Sequence, residues 1–306
     1  MNARALLASF LFVFIATNAR AAWQLDGIPL CKDPAQQYAV TAAPDGSGGA
    51  LVAWQDSRNA GGEDIYIRRI DADGGPMWAL DGVPACLAPG DQLEPRIVGD
   101  GTGGAFVTWF DLRNGNDYDI YVQHVDASGV ALWGAGGVAI CTEPNDQVDA
   151  RIVNDGSGGI VVVWLDDRAG VYARHVYGQR VDVTGVAQWT AQGIPICTAS
   201  TYRSDMNIVT DGTGTFIVAW EDWYRIAYIQ GFAQKVDATG GIGWFPDGIP
   251  LTLYNTPQAS LSLVSDGAGG AIAAWQDARN AGGDDIYAQR VSAAGSLVWD
   301  PDGVAV

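Results

Sequence analysis

The chain has 306 residues and a formal net charge of −18, because 35 Asp and Glu outweigh 17 Lys and Arg. Hydrophobic residues make up 48% of it, and it contains 40 Gly and 12 Trp. This apolar and aromatic content excludes a disordered chain, and the acidic charge argues against nucleic acid and anionic membranes as partners.

The N-terminus has the pattern of an export signal. Arg4 supplies a short positive region, an apolar run extends from Ala5 to Ala16, and Ala19-Arg20-Ala21 fits a cleavage site. The run is shorter than the roughly 20 apolar residues that span a bilayer. We therefore expect residues 1–21 to be a signal peptide and residues 22–306 to be one secreted or periplasmic domain, without membrane insertion after cleavage. The alternatives are a membrane anchor or a buried N-terminal helix.

The rest of the chain is one unit repeated five times. A register Trp recurs at spacings of 55, 55, 56, 55 and 55 residues, at Trp23, Trp78, Trp133, Trp189, Trp244 and Trp299. The units are roughly 23–77, 78–132, 133–188, 189–243 and 244–298, with a partial unit at 299–306. A second Trp lies 31 residues after each of the first five marks, at Trp54, Trp109, Trp164, Trp220 and Trp275. Repeats near this length indicate solenoids, propellers or arrays.

Each unit predicts four short β-strands, A to D in chain order. Strand A ends before an Asp-Gly turn, such as Asp100-Gly101, and strand B is apolar on both faces. Strand C begins with Asp-Ile-Tyr in three units, and strand D carries the register Trp. Units too small to bury their own faces predict an all-β fold, a β-propeller of about five four-stranded antiparallel blades, with the strand-B Trp packed between blades.

The strand count raises the question of ring closure. A D-like segment from Trp23 to Leu30 precedes the five units, and a second one ends the chain, so the pattern predicts 21 strands. A closed five-bladed ring needs 20, and a six-bladed ring would lack strands A, B and C of one blade. We expect either a closed ring with a redundant first strand or an open arc.

The motif residues resemble the TolB-like propeller repeat. Unit 1 contains Asp45-Gly46, then Asp56-Ser57-Arg58, then Asp64-Ile65-Tyr66, and units 2 and 5 repeat the pattern. The resemblance covers nearly all of the mature chain. It implies a periplasmic or secreted propeller and transfers no catalytic residues.

Cysteine and acidic residues are expected to be mainly structural. The four Cys recur eight residues after a register Trp, too far apart for disulfides, so free buried thiols are predicted, at Cys31, Cys86, Cys141 and Cys197. Asp-x-Arg pairs such as Asp56 and Arg58 predict internal salt bridges, with the Arg also clamping the Asp that opens strand C. Clustered carboxylates leave a Ca²⁺ site open as the alternative, whereas zinc and haem are not expected and no cofactor is predicted.

The best functional clue is where the repeat breaks, in units 3 and 4. The D-to-A and B-to-C loops emerge on the same face, and both change character in unit 4. Their aromatic and basic residues form a candidate ligand-binding patch with neighbours from unit 3, namely Tyr172, Arg174, His175, Tyr202, Arg203, Trp223, Tyr224, Arg225 and Tyr228. Aromatic faces with Arg donors suit sugar rings, peptide segments or carboxylated ligands. Drift in a surface loop is the structural alternative.

Three functions fit the sequence. The preferred one is an exported non-catalytic propeller that binds a glycan or protein segment at the unit 3–4 loop face. The second is a polysaccharide hydrolase or lyase that uses carboxylates of the channel face, and no residue is singled out as catalytic. The third is a structural fragment of a larger surface protein.

Overall fold

The computed structural model describes residues 26–170, 172–223, 228–280 and 282–306. This part of the chain contains twenty β-strands in five four-stranded sheets and no helix, which confirms the β-propeller class. The proposed signal peptide at residues 1–21 and the first register Trp, Trp23, lie outside the described residues. Among the residues that are described, no helix is long and apolar enough to cross a membrane.

Each blade is an antiparallel sheet whose strands follow chain order. Blade 1 comprises β1 (Gln37–Pro44), β2 (Ala50–Asp56), β3 (Asp64–Ile70) and β4 (Val83–Cys86). Blade 2 comprises β5 (Gln92–Gly99), β6 (Ala105–Asp111), β7 (Asp119–Val125) and β8 (Val138–Cys141). Blade 3 comprises β9 (Gln147–Asn154), β10 (Ile160–Asp166), β11 (His175–Val181) and β12 (Ile194–Cys197). Blade 4 comprises β13 (Tyr202–Thr210), β14 (Phe216–Trp223), β15 (Gln230–Val236) and β16 (Ile249–Pro250). Blade 5 comprises β17 (Gln258–Ser265), β18 (Ala271–Asp277), β19 (Asp285–Val291) and β20 (Val304–Ala305).

The A–B hairpins are set by the Asp-Gly turn. In blade 1 the Asp45 carboxylate accepts hydrogen bonds of 2.8 Å from the backbone N–H groups of Ser47 and Gly49. Burial opposes the charge of Asp45, but these bonds and that from the Ser47 hydroxyl outweigh it and hold the pKa well below its usual range. Gly49 is required at this position, because a Cβ there would lie 2.1 Å from the carbonyl oxygen of Ile70.

The core lies between neighbouring blades, as the strand-B Trp pattern predicts. Trp109, Trp164, Trp220 and Trp275 are buried in four separate apolar clusters that join blades 1 and 2, 2 and 3, 3 and 4, and 4 and 5. Trp54 is the exception, because its small cluster holds only blade 1 and the preceding segment around Leu30. No described core cluster joins blade 5 to blade 1.

The count of 21 strands is wrong for the described residues, because the first D-like segment forms no strand there. Residues 26–30 run in irregular backbone before β1, whereas the last D-like segment provides β20 and completes blade 5. The structure therefore has five complete sheets, with five A–B hairpins that each contain a register shift. A residue in the left-handed region marks the shifted part of strand A in every blade, at Ala39, Glu94, Asp149, Asp205 and Ser260.

A clamp of four side chains ties strand B to its loop. In blade 2 the Trp109 indole donates to Asp111 at 2.7 Å, and Arg113 makes two hydrogen bonds to the same carboxylate, of 2.8 and 2.6 Å. The Arg113 guanidinium lies 3.7 Å from the ring centroid of Tyr121. Blades 1, 3 and 5 repeat this arrangement, which we call the Trp–Asp–Arg–Tyr clamp.

One detail of the predicted salt bridges is wrong, namely that the Arg also holds the Asp that opens strand C. The Asp that opens strand C is hydrogen bonded by an Asn of the loop rather than by the Arg: Asn59 donates to Asp64 at 2.7 Å and Asn114 to Asp119 at 3.0 Å. The Arg instead reaches a Cys of the preceding segment, as Arg113 does to Cys86 at 3.4 Å. The Asn follows the Arg directly in the loop, and its short side chain reaches the Asp that opens strand C. The guanidinium of the Arg is held by Asp111 instead.

The four Cys are free, as predicted. Cys86, Cys141 and Cys197 are buried and Cys31 is half-buried. Burial raises the pKa of Cys86 to about 11 and that of Cys141 to about 12, so these thiols stay protonated and pack as small apolar groups. In the described residues, no group of three or more His, Cys, Asp or Glu is arranged to hold a metal ion.

Trp109→Ala is expected to lower the free energy of unfolding by about 3–5 kcal/mol, because it empties the interface between blades 1 and 2. Trp54→Ala is the matched control, since Trp54 holds the same repeat position but packs within the cluster of blade 1. In urea unfolding, Trp54→Ala should lower the free energy of unfolding by less than Trp109→Ala does. Equal losses would contradict the idea that packing between blades provides the main stability.

Asp119→Asn is expected to gain stability relative to wild type as pH rises from about 4 to about 7. Burial, together with the charges of Asp117 and Asp111, raises the pKa of Asp119 to about 6, above the value of about 3.9 in an unfolded chain. The stability that this group contributes is complete below the unfolded pKa and is lost as pH rises through about 6.

Asp126→Asn is the control with the opposite sign. Hydrogen bonds from Ser128 and Val130 lower the pKa of Asp126, so its contribution is present above the unfolded pKa and is lost as pH falls. Thermal unfolding of the two variants and wild type across this pH range measures both effects. Parallel pH curves for Asp119→Asn and wild type would refute the buried-acid account.

Candidate functional site at the loop face of blades 3 and 4

The aromatic residues that distinguish unit 4, Tyr202 and Trp223, lie together where two strands of blade 4 begin and end. Strands β13 and β14 pair in antiparallel register, with Tyr202 opposite Trp223 and Ser204 opposite Glu221. The beginning of strand A and the end of strand B therefore share one edge of the blade. The loop before β13 lies at the same edge. The loop after β10 also lies there and contributes Arg174 from blade 3.

Arg203 lies beneath this surface rather than on it. Its side chain is fully buried and donates to the carbonyl oxygens of Ala199 and Arg174, at 2.7 and 2.5 Å, while Nε lies 3.3 Å from Asp222. Other units have a Gln at this position that bonds the same loop, as Gln147 bonds the carbonyl of Asn145 at 2.7 Å. Arg203 thus supports the loop, and its burial argues against direct ligand contact.

The Arg at position 203 accompanies a change in the B–C loop of the same unit. In blades 1, 2, 3 and 5 the strand-B Asp is paired by an Arg two residues later, but unit 4 has Tyr224 at that position. Arg203, which lies opposite the corresponding Asp222 on β13, approaches it to 3.3 Å. In blade 4, Arg203 of strand A therefore brings a positive charge next to Asp222.

Arg174, Tyr202 and Trp223 form a connected aromatic–cationic surface. Arg174 is fixed by two hydrogen bonds to Asp167, of 3.0 and 2.8 Å, and these bonds raise its pKa. It also donates to the Tyr202 hydroxyl at 3.2 Å and lies 4.9 Å from the ring centroid. The rings of Tyr202 and Trp223 meet edge to face with centroids 6.0 Å apart.

A pair of carboxyl groups lies behind this surface, which the sequence reasoning missed. The Trp223 indole donates to the Ser204 hydroxyl at 2.8 Å, and that hydroxyl donates to Glu221 at 3.1 Å. Burial raises the pKa of Glu221, and the negative charge of nearby Asp205 raises it further. Asp205 is itself anchored, because it accepts a 2.9 Å hydrogen bond from the backbone N–H of Leu261 in blade 5.

The signal for this pair was present in the repeat register. The positions equivalent to Glu221 hold Gln55, Phe110, Leu165 and Gln276, so an acid occurs there only in unit 4. A comparison of strand-B positions across the units identifies Glu221 as a residue peculiar to unit 4. Glu221 lies within strand B and not in a loop.

The other described residues of the predicted patch differ in their burial. His175 is half-buried beside Tyr177, and its pKa is lowered by burial and by the positive charge of Arg203. Tyr172 is 88% exposed and Tyr228 is also exposed. Tyr224 and Arg225 lie outside the described residues.

Comparisons with known proteins show the fold. No protein family and no curated protein sequence matches the chain. It is similar to a protein of unknown function from Dyadobacter fermentans, with 10% identity, a TM-score of 0.54, and coverage of 90% of this chain and 85% of that one. It is also similar to an ulvan lyase, with 10% identity, a TM-score of 0.54, and coverage of 84% and 68%.

A thermostable family-43 glycoside hydrolase is a further match, with 11% identity, a TM-score of 0.46, and coverage of 90% and 96%. At such low sequence identity, the structural similarity shows a shared β-propeller architecture and nothing about activity. The predicted resemblance to a propeller repeat is therefore confirmed at the level of the fold.

Proposed function

We propose that this protein is an exported propeller of the TolB-like repeat type that binds a glycan at the loop face of blades 3 and 4. The observation that carries this proposal is the connected surface of Arg174, Tyr202 and Trp223, which interrupts a repeat that is otherwise regular. The export pattern at residues 1–21 supports an extracellular or periplasmic ligand.

The chemistry of the surface suits a sugar chain. The C–H faces of a pyranose ring pack on aromatic rings, and adjacent hydroxyls accept hydrogen bonds from a guanidinium. Because Asp167 already holds Arg174, ordering that side chain adds little entropic cost when a ligand binds.

Trp223→Ala and Tyr202→Ala are each expected to weaken glycan binding by at least about tenfold, since each removes one stacking face. Binding is measured on a microarray of algal, plant and bacterial polysaccharides, and then by calorimetry on the best hit. Phe245→Ala is the control, because Phe245 is an exposed aromatic residue outside this surface. Undiminished binding in both site variants, or no bound glycan on the array, would reject the proposal.

A second function, cleavage of the bound polysaccharide, is favoured by one specific observation. Glu221 and Asp205 form a carboxyl pair in which the pKa of Glu221 is raised, and a proton donor at a glycosidic oxygen must stay protonated at working pH. The fold accommodates such chemistry, since an ulvan lyase shares it. Glu221 would be the proton donor, because burial raises its pKa and the negative charge of Asp205 raises it further.

Asp205→Asn is expected to shift the alkaline limb of the pH–rate profile to lower pH, because removing the negative charge lowers the pKa of Glu221. Glu221→Gln should abolish turnover while glycan binding persists. Release of reducing ends and of unsaturated sugars is followed across pH on the polysaccharides that bind. Binding without turnover in wild type would leave the binding function and exclude the catalytic one.

A further inference from the structure

The outer side of blade 5 exposes residues that the other blades bury. We call the side that faces the next blade the outgoing face. Ile286 is 46% exposed there, although Ile65 and Ile120 at the same repeat position are fully buried by the following blade. Trp299 is 36% exposed, whereas the equivalent Trp78 and Trp244 are buried.

The outgoing face of blade 5 also carries donors whose equivalents bond across blades. Trp78 donates its indole N–H to the carbonyl of Ala127 in the next blade at 3.0 Å. Lys235 of blade 4 likewise donates to Gly269 of blade 5 at 2.8 Å. Trp299 and Arg290 hold these two positions in blade 5. In the described part of the chain, Arg290 bonds to Asp266 of its own blade, and the Trp299 indole has no acceptor in a following blade.

Blade 1 is open on the opposite side, which we call the incoming face. Val40 is 70% exposed, while Met206 and Leu261 at the same repeat position are buried against the preceding blade. Ala42 is exposed as well, where Ile97 is buried. The molecule therefore presents two uncovered blade faces, one on blade 5 and one on blade 1, and both carry apolar residues.

Residues 28–32 hold the repeat position of a strand D but pair with none of the described sheets. Arg58 donates to Cys31 at 3.2 Å, just as Arg113 donates to Cys86 of β4, and Lys32 N–H donates to Asp81 at 2.7 Å. These are the contacts that a strand D makes with the following blade. In blade 1 the corresponding residues also pair with strand C, with Cys86 opposite Ile65, but residues 28–31 belong to none of the described sheets.

We propose that these surfaces bind a three-stranded A–B–C β-meander of the same repeat type. Its strand A and strand B would cover the outgoing face of blade 5 and the incoming face of blade 1. Its strand C would pair with residues 28–31, which complete the sixth sheet as strand D. The inference is independent of the glycan function, because none of these residues belongs to that surface.

The unpaired strand distinguishes this occupant from a second copy of the chain. A second copy offers matching apolar faces, but each of its described C strands, β3, β7, β11, β15 and β19, already pairs with a D strand. It therefore has no free strand C for residues 28–31. A meander of this repeat satisfies both apolar faces and the strand edge together, because stability in repeat arrays comes from nearest-neighbour interfaces.

The chain itself supplies a probe. The loop at Asp277-Ala278-Arg279-Asn280 in blade 5 nearly repeats Asp56-Ser57-Arg58-Asn59 in blade 1. Strands A to C of unit 2 pack on the outgoing face of blade 1 in the native fold. A synthetic peptide of residues 89–127 is thus matched to the similar face of blade 5.

The test adds this peptide to the full mature chain and follows hydrogen exchange and Cys31 alkylation. Backbone amides of Ile28, Leu30 and Cys31 are expected to exchange at least about tenfold more slowly when strand C pairs with them. Alkylation of Cys31 should slow in parallel. The same measurements are made on the chain with residues 89–127 fused after Val306, so that a peptide that fails to fold alone is still examined at high local concentration.

Ile286→Lys should abolish the protection in both formats, while Val130→Lys, at an exposed apolar position elsewhere, should leave it intact. Absence of protection in both the mixture and the fusion overturns the proposal. It is also overturned if the chain alone forms a dimer in which Ile286 and Val40 become protected, since a second copy is then the occupant.

Discussion

Packing between blades around the strand-B Trp is the constraint on which this structure depends. A four-stranded sheet of this size cannot cover either of its own faces, so each blade is stable only against its neighbours. The large indole fills the gap between sheets, and in blades 1, 2, 3 and 5 its N–H donates to the Asp two residues later, as Trp164 does to Asp166 at 2.8 Å. A buried polar group is thereby satisfied without interrupting the apolar interface.

The clamp that satisfies the Trp also governs where the loops can vary. Its Arg neutralises a fully buried Asp, and losing that charge without a substitute would leave an uncompensated anion in the core. Unit 4 has Tyr224 at the position of this Arg, and Arg203 of β13 lies with its Nε 3.3 Å from Asp222. The aromatic surface of Tyr202 and Trp223 is compatible with the fold because the charge balance beneath it is kept.

The same nearest-neighbour logic explains why the ends of the propeller differ from its middle. Four interfaces use one pattern of apolar positions, and that pattern continues into the outgoing face of blade 5 and the incoming face of blade 1. Residues 28–32 make the contacts of a strand D with the following blade, although no strand C lies beside them in the described residues. Within the described residues, these two faces are exposed because no blade packs on them, while their apolar pattern is unchanged.

The sequence by itself determined the number of units, the strand order, the turns and the burial of the strand-B Trp. These features depend on local patterns, such as Gly after Asp in a turn or a run of apolar residues, and five copies in register leave little ambiguity. It also identified unit 4 as the irregular one. It predicted the free thiols, since equivalent positions in separate blades are too far apart to bridge.

Only the tertiary structure decided which of the marked residues meet. The sequence predicts Arg203 to be part of a ligand-binding patch, yet the fold buries it, because it lies in β13 opposite Asp222 and donates to the carbonyl oxygens of Ala199 and Arg174. Glu221 and Asp205 lie sixteen positions apart on two strands, and their proximity follows from a register shift in strand A that no local pattern specifies. Side chains separated along the chain interact according to pleat, bulge and neighbouring blade, and these are properties of the folded sheet, not of any single segment.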